Sequence, residues 1–364
     1  MIAKIVYFIL YFVNLLCKGF KIKENKITFI SYKTNLLEGD FKLVSKKLEK
    51  ENKYDIHYVL IKFEHNLMGS IKYFFNCFKQ IYHMNTSKVI VLDYNNFVVS
   101  KFKKKEVKVV QLWHATGAIK KFGNDIKREY PIENYDYVTC SSDAWKDIYS
   151  SAFNVPKENV VPVGIPKTDS LFSEKKLNKY REYIYNKYPQ IKGKKVVLYA
   201  PTFRGVLASK IRCEEVNLEY IQKALGDDYV VIHKLHPWLS HISFDNDPRI
   251  INGNDEGLRK LFSVSDYLIS DYSAIIFDFA ILEKPMIFFT PDIEKYKVDR
   301  GFYEDYEKVM PGPICLSEEE VVKAIKENNF SKEAIVNFKN KYFKYKDGKS
   351  TKRVCELIKS LVEV

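Results

Sequence analysis

The sequence predicts an α/β protein with two halves, each built on a parallel β-sheet that helices cover on both faces. Its 364 residues exceed the roughly 250–300 residues at which one hydrophobic core stops growing, so two domains are expected. In both halves, short runs rich in Val, Ile and Leu alternate with stretches of helical periodicity. Such continuous apolar runs are typical of strands in a parallel sheet that is buried on both faces.

The first domain is predicted over residues 21–166. Helices are expected at residues 39–52 and 68–84, and the aromatic face of the second helix is compatible with contact either with the core or with lipid. Its strands are the apolar runs at residues 26–31, 54–60, 88–92, 108–112, 135–140 and 160–164.

The second domain is predicted over residues 167–364, after a tight crossover near residues 164–169. We expect two Rossmann-like halves that face each other across a cleft, with ligands where the carboxyl ends of both sets of strands meet. The last helix of the chain is predicted either to stay with the second domain or to pack back on the first domain. The strands are predicted at residues 195–199, 229–233, 249–251, 267–270 and 285–289, and the helices at residues 218–225, 257–264 and 274–282.

Residues 1–20 are predicted to form an amphipathic helix that lies in a membrane interface. No charged residue occurs between Lys4 and Lys18. As a helix, that uncharged stretch spans only about 20 Å, which is shorter than the roughly 30 Å hydrocarbon core of a bilayer. Its aromatic side chains suit the interface, and the flanking lysines suit anionic headgroups. The alternatives are a signal peptide, although no small-residue cleavage site follows, and a helix packed on the protein's own core.

The composition favours anionic partners and a reducing compartment. The chain has 59 Lys and Arg against 46 Asp and Glu, a net charge of +13, which suits nucleotide phosphates, nucleic acid or an acidic membrane surface. A nucleic-acid-binding protein is disfavoured because the lysines are spread along the chain instead of clustering with aromatic residues. The six cysteines form no CxxC pair, so neither a disulfide framework nor a zinc site is indicated.

The segment at residues 109–123, VVQLWHATGAIKKFG, is the most informative in the chain. A β-branched run ends at Trp113 and His114, passes through a turn of small residues and continues with Lys120 and Lys121. This pattern lifts an imidazole off the end of a strand, beside backbone N–H groups and cations that suit a phosphate. With an unperturbed pKa of about 6.5, a histidine there can act as a general base. The alternative is a structural histidine bonded to a neighbouring carbonyl.

Three motifs in the second half also follow predicted strands. Thr202 and Arg204 follow the first strand, and the planar guanidinium of Arg204 suits phosphate unless a salt bridge occupies it. Lys234 and His236 follow the second strand within the run HKLHP. Two histidines and a lysine at a predicted ligand edge favour a phosphate site.

The third motif is SDYSAIIFDFA at residues 270–280. Ser273 is expected to cap a helix whose N-terminus suits a nucleotide phosphate, and Asp278 is placed to accept hydrogen bonds from a ribose. A capped, buried helix without a ligand is the alternative. The sequence contains neither GxxxxGKS/T nor GxGxxG, and its acidic run at residues 245–247 is typical of an exposed turn, so no metal site is indicated.

Taken together, these motifs resemble the CDP-glycerol glycerophosphotransferase family of teichoic acid synthesis, and most of all its glycerol-phosphate primases. The resemblance rests on WHATG with the downstream KKFG, YAPTFR at residues 199–204, HKLHP at 233–237, SDYSAIIFDFA at 270–280 and RGFYEDYEKVMPGP at 300–313. These motifs occur in the family's order over roughly residues 105–315.

The resemblance implies a GT-B fold, CDP-glycerol as the donor, and a peripheral enzyme at the inner membrane face. The residues themselves indicate neither a metal nor another cofactor. It also implies an acceptor in which N-acetylmannosaminyl-N-acetylglucosamine is linked to undecaprenyl diphosphate. By motif position, His114 would be the base and His236 a second essential histidine at the donor pyrophosphate. The other implied donor contacts are the backbone of Ala115, Thr116, Gly117 and Ala118, together with Lys167, Thr202, Arg204, Lys234, Ser273, Ala274 and Asp278.

Two residues depart from the family's pattern. Lys167 stands where many members carry arginine, which removes the bidentate geometry, and Ala274 replaces the second serine of SDYSS. Two enzymatic alternatives remain: a family member with another donor or acceptor, such as a ribitol-phosphate transferase or a capsule polymerase, and a glycosyltransferase of the same fold that uses a UDP-sugar.

Overall fold

The structure is a computed structural model that describes residues 2–204, 216–235, 239 and 247–363. The chain divides into two compact units. Unit 1 comprises Met1–Thr116, Phe122–Asp169 and Phe343–Val364, and unit 2 comprises Gly117–Lys121 and Ser170–Tyr342. The main division between the units therefore follows Asp169.

Unit 1 is built on a sheet whose strands are all parallel. Its strands are β1 (Lys23–Ser31), β2 (Asp55–Leu60), β3 (Ser87–Leu92), β4 (Lys108–Gln111), β5 (Tyr137–Thr139) and β6 (Val160–Val161). They lie in the order β2-β1-β3-β4-β5-β6. The accompanying helices are α1 (Ile2–Lys18), α2 (Gly39–Glu49), α3 (Leu67–Thr86), α4 (Phe97–Phe102) and α5 (Lys146–Phe153).

Unit 2 contains a second parallel sheet, and helices precede, connect and follow its strands along the chain. Its strands are β7 (Lys195–Tyr199), β8 (Tyr229–His233), β9 (Ile250–Asn252), β10 (Tyr267–Ser270), β11 (Met286–Phe289) and β12 (Ile314–Cys315). They lie in the order β12-β11-β10-β7-β8-β9. The helices are α6 (Glu174–Lys187), α7 (Leu218–Leu225), α8 (Leu258–Val264), α9 (Ile275–Ala280), α10 (Ile293–Arg300), α11 (Tyr306–Val309), α12 (Glu318–Glu327) and α13 (Lys332–Tyr342).

The chain then returns to unit 1 as α14 (Ser350–Val362). The N–H groups of Ser350 and Thr351 each donate a 2.8 Å hydrogen bond to the carboxylate of Asp169, which satisfies amides that the first turn of a helix leaves without partners. From there, α14 places Val354 and Ile358 in the core that lies against β1, β3 and β4.

Strand order determines where each parallel sheet opens a crevice for ligands. In an open α/β sheet, ligands bind beyond the carboxyl ends of the strands, at the point where successive connections run in opposite directions from neighbouring strands. In unit 2 this point lies between β7 and β10, and in unit 1 it lies between β1 and β3. The residues that directly follow these four strands are therefore the first candidates for a site.

Helix α1 turns apolar side chains both inward and outward. Leu10 and Cys17 are buried in a cluster with α3 and α4, and Asn85 on α3 donates a 2.9 Å hydrogen bond to Asn14. On the outer side, Phe12 is 56% exposed and Leu16 is 64% exposed. Within the described part of the chain, no helix is both long enough and apolar enough to cross a bilayer.

Candidate functional site

The turn after β4 presents His114 because its backbone is held in an unusual conformation. Trp113 adopts a φ of +59°, which is uncommon for a residue other than glycine and is often found at functional sites. The N–H of Trp113 donates to Gln111 Oε1 (2.9 Å), and Gln111 Nε2 donates to the carbonyl of Tyr94 (3.0 Å). The indole packs on Phe153 (5.1 Å between ring centroids), so the buried Trp113 fixes the turn that carries the exposed His114.

The imidazole of His114 is oriented by residues at the end of β3. Its ring stacks on Tyr94, with centroids 4.1 Å apart and planes 7° from parallel. Its Nδ1 lies 3.4 Å from the carbonyl oxygen of Asp93. The tautomer that donates from Nδ1 to this carbonyl leaves Nε2 as the basic nitrogen.

His114 is held in its neutral form. Desolvation by surrounding protein atoms, followed by the positive charges of Lys167 and Lys33, lowers its pKa from 6.5 to about 3, and the carbonyl of Asp93 opposes this shift only in part. Tyr94 covers one face of the ring, although His114 as a whole residue is exposed. Lys167 is close by, since its Nζ donates to the carbonyl of His114 (2.8 Å), and its backbone N–H is fixed by Asp40 (2.6 Å).

Asp93 is a second proton-binding group beside His114, and sequence reasoning missed it. Burial, reinforced by the carboxylates of Asp40 and Glu38, raises its pKa to about 7, although a hydrogen bond with Ser31 opposes the shift. Its Oδ1 atom is buried without a hydrogen-bond partner among the described residues. Asp93 and Tyr94 directly follow the strand predicted at residues 88–92, so the strand-end rule that singled out His114 would have found them too.

The segment after His114 belongs to unit 2. Ala115 and Thr116 are in unit 1, whereas Gly117 and Ala118 begin the short segment Gly117–Lys121 assigned to unit 2. This segment packs on the motif that begins at residue 300. The N–H of Tyr303 donates to the carbonyl of Ile119, and the N–H of Lys121 donates to the carbonyl of Gly301 (3.1 Å each). The implied donor-lining backbone is therefore divided between the two units.

Arg204 is buried and already paired, which differs from the expected open phosphate-binding guanidinium. It donates to Asp292 through Nε (2.7 Å) and Nη2 (3.0 Å), and through Nη1 to Asp271 (2.8 Å) and to the carbonyl of Thr202 (2.8 Å). Four of its five N–H groups thus have protein acceptors. The guanidinium also lies 4.9 Å from the ring centroids of Tyr272 and Tyr296. Burial alone would lower its pKa, but the two carboxylates outweigh burial and raise it.

The salt bridge that the sequence allowed as an alternative for Arg204 is therefore present, and it is buried. It also has a consequence for Thr202, because the Asp271 carboxylate that pairs with Arg204 accepts the backbone N–H of Thr202 (2.8 Å). The hydroxyl of Thr202 is buried and has no hydrogen-bond partner among the described residues. Arg204 and Asp271 together position an unpaired hydroxyl just beyond β7, at the crevice of the second sheet.

Two lysines of unit 2, Lys234 and Lys120, are less completely paired than Arg204. Lys234 follows β8, and its ammonium donates to the carbonyl of Asn254; burial lowers its pKa. Lys120 donates to the hydroxyl of Tyr296 (3.2 Å). Burial lowers the pKa of Lys120 to about 8, against the opposing effect of Asp271. Neither ammonium pairs with a carboxylate within the described part of the chain, so both lysines can place positive charge against an anion without first breaking such a pair.

The remaining predicted donor contacts lie around α9. This helix begins at Ile275, one residue later than predicted, with Ala274 at the N-cap. Ser273 accepts a long hydrogen bond from the N–H of Ile275 (3.4 Å), so it is a weaker cap than expected. Asp278 lies within the helix and is only 9% exposed. His236, the second predicted catalytic histidine, lies outside the described residues.

The chain matches the family model described as CDP-glycerol:poly(glycerophosphate) glycerophosphotransferase over residues 9–360. It belongs to this family. It is 33% identical to the teichoic acid ribitol-phosphate primase of Bacillus spizizenii, with 94% of this chain and 92% of the relative covered. It is also 33% identical to the teichoic acid glycerol-phosphate primase of Bacillus subtilis, with 78% and 76% covered. In fold it is similar to a variant of the wall teichoic acid polymerase TagF soaked with CDPG (TM-score 0.78, 24% identity, 97% of this chain and 93% of that chain covered).

Family membership confirms the enzyme class predicted from the motifs. The protein is an enzyme of the CDP-glycerol phosphotransferase class and acts in teichoic acid biosynthesis. The predicted α/β fold with two parallel sheets is also confirmed, and it is similar to the GT-B-like fold of TagF.

The replacement Arg204→Gln should destabilise unit 2 instead of only weakening donor binding. It leaves the buried carboxylate of Asp271 and the half-buried carboxylate of Asp292 without their cation, and breaking a buried pair typically costs about 3–5 kcal/mol. Denaturant unfolding, followed by a spectroscopic signal from unit 2, measures this loss. The control is Arg249→Gln, because the Arg249 side chain is 31% exposed and pairs with the exposed Asp227 and the half-buried Asp247, so its loss should lower the unfolding midpoint much less. A fully stable Arg204→Gln protein with weakened CDP-glycerol binding would contradict this assignment.

Proposed function

We propose that this enzyme transfers glycerol phosphate from CDP-glycerol to a hydroxyl of an undecaprenyl-diphosphate-linked N-acetylmannosaminyl-N-acetylglucosamine acceptor and releases CMP. The reaction belongs to wall teichoic acid synthesis at the cytoplasmic face of the bacterial cell membrane. The observation that carries the proposal is the setting of His114, whose neutral imidazole is stacked on Tyr94 at the carboxyl edge of a parallel sheet and remains open to solvent.

The proposed reaction is a single in-line displacement. Nε2 of His114 takes the proton of the acceptor hydroxyl while the hydroxyl oxygen attacks the phosphorus that bears glycerol. A new O–P bond forms, the bond from this phosphorus to the oxygen of CMP breaks, and CMP leaves with that oxygen. Asp93 holds the imidazole through its carbonyl, and the flat contact with Tyr94 limits rotation of the ring.

The donor diphosphate is proposed to bind through groups at the strand ends of unit 2. Thr202 and Lys234 have the most structural support. Thr202 offers a buried hydroxyl that has no hydrogen-bond partner among the described residues, and Lys234 offers an ammonium that follows the adjacent strand. Arg204 acts mainly as a positioning residue through Asp271. The other proposed donor contacts are His114, Ala115, Thr116, Gly117, Ala118, Lys167, His236, Ser273, Ala274 and Asp278.

A second candidate is the transfer of ribitol phosphate in place of glycerol phosphate. The similarity to the ribitol-phosphate primase covers 94% of this chain, compared with 78% for the glycerol-phosphate primase. The family model and the motifs favour glycerol. Transfer assays under identical conditions, one with CDP-glycerol and one with CDP-ribitol, distinguish the two donors.

The membrane contact is proposed to involve the outer face of α1. Phe12 and Leu16 lie exposed on a helix whose opposite face is anchored by Leu10, Asn14 and Cys17. An anionic bilayer surface offers these side chains an apolar layer, and the net charge of +13 adds attraction.

The decisive experiment counts the phosphates that are added to a defined acceptor. Purified enzyme is incubated with labelled CDP-glycerol and the lipid-linked disaccharide. The mass of the product, measured by mass spectrometry, gives the number of glycerol phosphates added. We expect CMP release and a single added glycerol phosphate. His114→Ala should lower kcat by about 10²–10⁴, the usual scale for the loss of a general base, without changing the unfolding midpoint.

Different outcomes of this experiment contradict different parts of the proposal. A ladder of products would identify a polymerase. Transfer only from CDP-ribitol would show that CDP-ribitol, and not CDP-glycerol, is the donor. A folded His114→Ala variant with near-normal turnover would remove His114 as the base. Absence of any transfer to the disaccharide would reject the proposed acceptor.

The pH profile should report the lowered pKa of His114. A base must be deprotonated, so kcat/KM should stay level from about pH 8 down to about pH 5 instead of falling near 6.5. Lys167→Met removes a charge that lowers this pKa, so its acid limb should move to higher pH. Asp93→Asn serves as the control, because it removes the carboxyl that titrates near pH 7. The parent profile could instead show an acid limb at about pH 6.5 that persists in Asp93→Asn. That result would contradict the lowered pKa assigned to His114.

The double replacement Phe12→Ser, Leu16→Ser should weaken membrane association without reducing turnover of a short-chain, soluble acceptor. Each side chain contributes apolar area to the contact, so partition to phosphatidylglycerol vesicles should fall by about tenfold or more. Substitution is preferable to deletion of α1, because deletion would also expose the residues that α1 covers. Val298→Ser, which changes an 86% exposed apolar residue of unit 2, should leave partition unchanged. Equal partition of the double variant and the parent would rule out this membrane face.

A further inference from the structure

Unit 1 contains a cavity of about 1030 Å³ that neither the motifs nor the proposed donor contacts explain. Residues from the first half of α1, from α3 and α4, from the segments that follow β1, β2 and β3, and from residues 128–131 line it. Seven of the lining residues are aromatic, among them Tyr32, Phe63 and Tyr73. The cavity is therefore apolar and rich in flat ring faces.

The cavity lies where the topology of the first sheet predicts a ligand. Tyr32 follows β1 directly, and Asn95 lies three residues beyond the end of β3. Strands β1 and β3 are the neighbours between which the connections change direction, and such a point is the usual ligand crevice of an open α/β sheet.

A short series of ring contacts connects the cavity wall to His114. Tyr32 lies 6.4 Å from Tyr73 and 5.4 Å from Tyr94, measured between ring centroids. Tyr94 in turn stacks on His114. One aromatic ring thus separates the cavity wall from the proposed base, so a molecule that fills the cavity is well placed to present a hydroxyl to His114.

The charges that line the cavity favour an anion. Lys4, Lys101 and Arg128 are among its lining residues, against the single carboxylate of Glu129. Guanidinium and ammonium groups bind diphosphate oxygens through strong, charge-assisted hydrogen bonds. The wall also includes Phe8, which is 70% exposed, so the apolar lining continues onto the outer face of α1.

We propose that this cavity is the acceptor site, and that it holds the diphosphate and sugar rings of a prenyl-linked saccharide while the prenyl chain leaves along the apolar face of α1. This inference rests on the proposed function and adds the place where its acceptor binds. The volume lies at the upper end of the range for small-molecule pockets, about 300–1,000 Å³. It therefore accommodates sugars and a diphosphate, and a long prenyl chain must continue outside. Tyrosine and phenylalanine faces pack against the C–H faces of sugar rings, and the cations pair with the diphosphate.

The test uses cavity residues outside α1, so that the exposed side chains of α1 are left unchanged. Phe63→Ala, Tyr73→Ala and Arg128→Gln should each raise the KM for a short-prenyl, diphosphate-linked disaccharide by about tenfold or more, because each removes a ring face or a charge-assisted bond. The Kd for CDP-glycerol, measured by calorimetry, should stay unchanged. Lys127→Gln is the matched control for Arg128→Gln, since it removes the same charge from an adjacent exposed residue that does not line the cavity. Arg128 lies in a loop, so its variant remains informative even if truncation of Tyr73 impairs folding.

Direct binding separates failure of this inference from failure of the proposed function. If the parent enzyme uses the disaccharide and the folded cavity variants use it with unchanged KM, the cavity is not the acceptor site and the proposed function stands. If the parent does not use the disaccharide, the proposed function fails, and farnesyl diphosphate then becomes the probe. Binding by the parent that is at least tenfold weaker in the variants supports a prenyl diphosphate site. Absent or equal binding overturns it.

Discussion

Parallel pairing is the constraint on which the rest of the structure depends. Every pairing within both six-stranded sheets is parallel, so all the strands of a sheet end at one edge, and each connection must cross the full length of the sheet before the next strand begins. His114 and Asp93 share such an edge in unit 1, and Thr202 and Lys234 share one in unit 2. Residues far apart in the sequence become neighbours because the strands have the same direction.

The two edges use charge in different ways. In unit 2, the guanidinium of Arg204 is largely committed to Asp271 and Asp292, so its charge stabilises the loop beyond β7 more than it attracts a ligand. Here the same carboxylate that pairs with Arg204 also holds the backbone of Thr202. At the proposed donor site, the free energy of binding would then come from the lysines and from the Thr202 hydroxyl, which has no hydrogen-bond partner among the described residues, without first breaking a buried ion pair.

Local patterns predicted what depends on local sequence. Strands β7 and β8 and helix α7 begin and end at the predicted residues, because their apolar runs and turn residues define both ends. Strand order was not predictable in this way, since periodicity carries no information about which strands pair. Nor was the partner of Arg204, because Asp292 lies 88 residues further along the chain. Asp93 was missed for a different reason: it forms no recognisable motif, although its position after β3 would have indicated it.

The low pKa of His114 has a physical consequence once an anion binds. Lys167 and Lys33 lower this pKa through their positive charge, and Lys167 is hydrogen-bonded to the carbonyl of His114 itself. In the proposed reaction, a phosphate bound beside these lysines would remove part of the electrostatic penalty on the imidazolium, and the pKa of His114 would then rise. Without an anion, the lowered pKa keeps the imidazole neutral. If His114 is the base, as proposed, its affinity for the proton would therefore be coupled to occupation of the site by an anion.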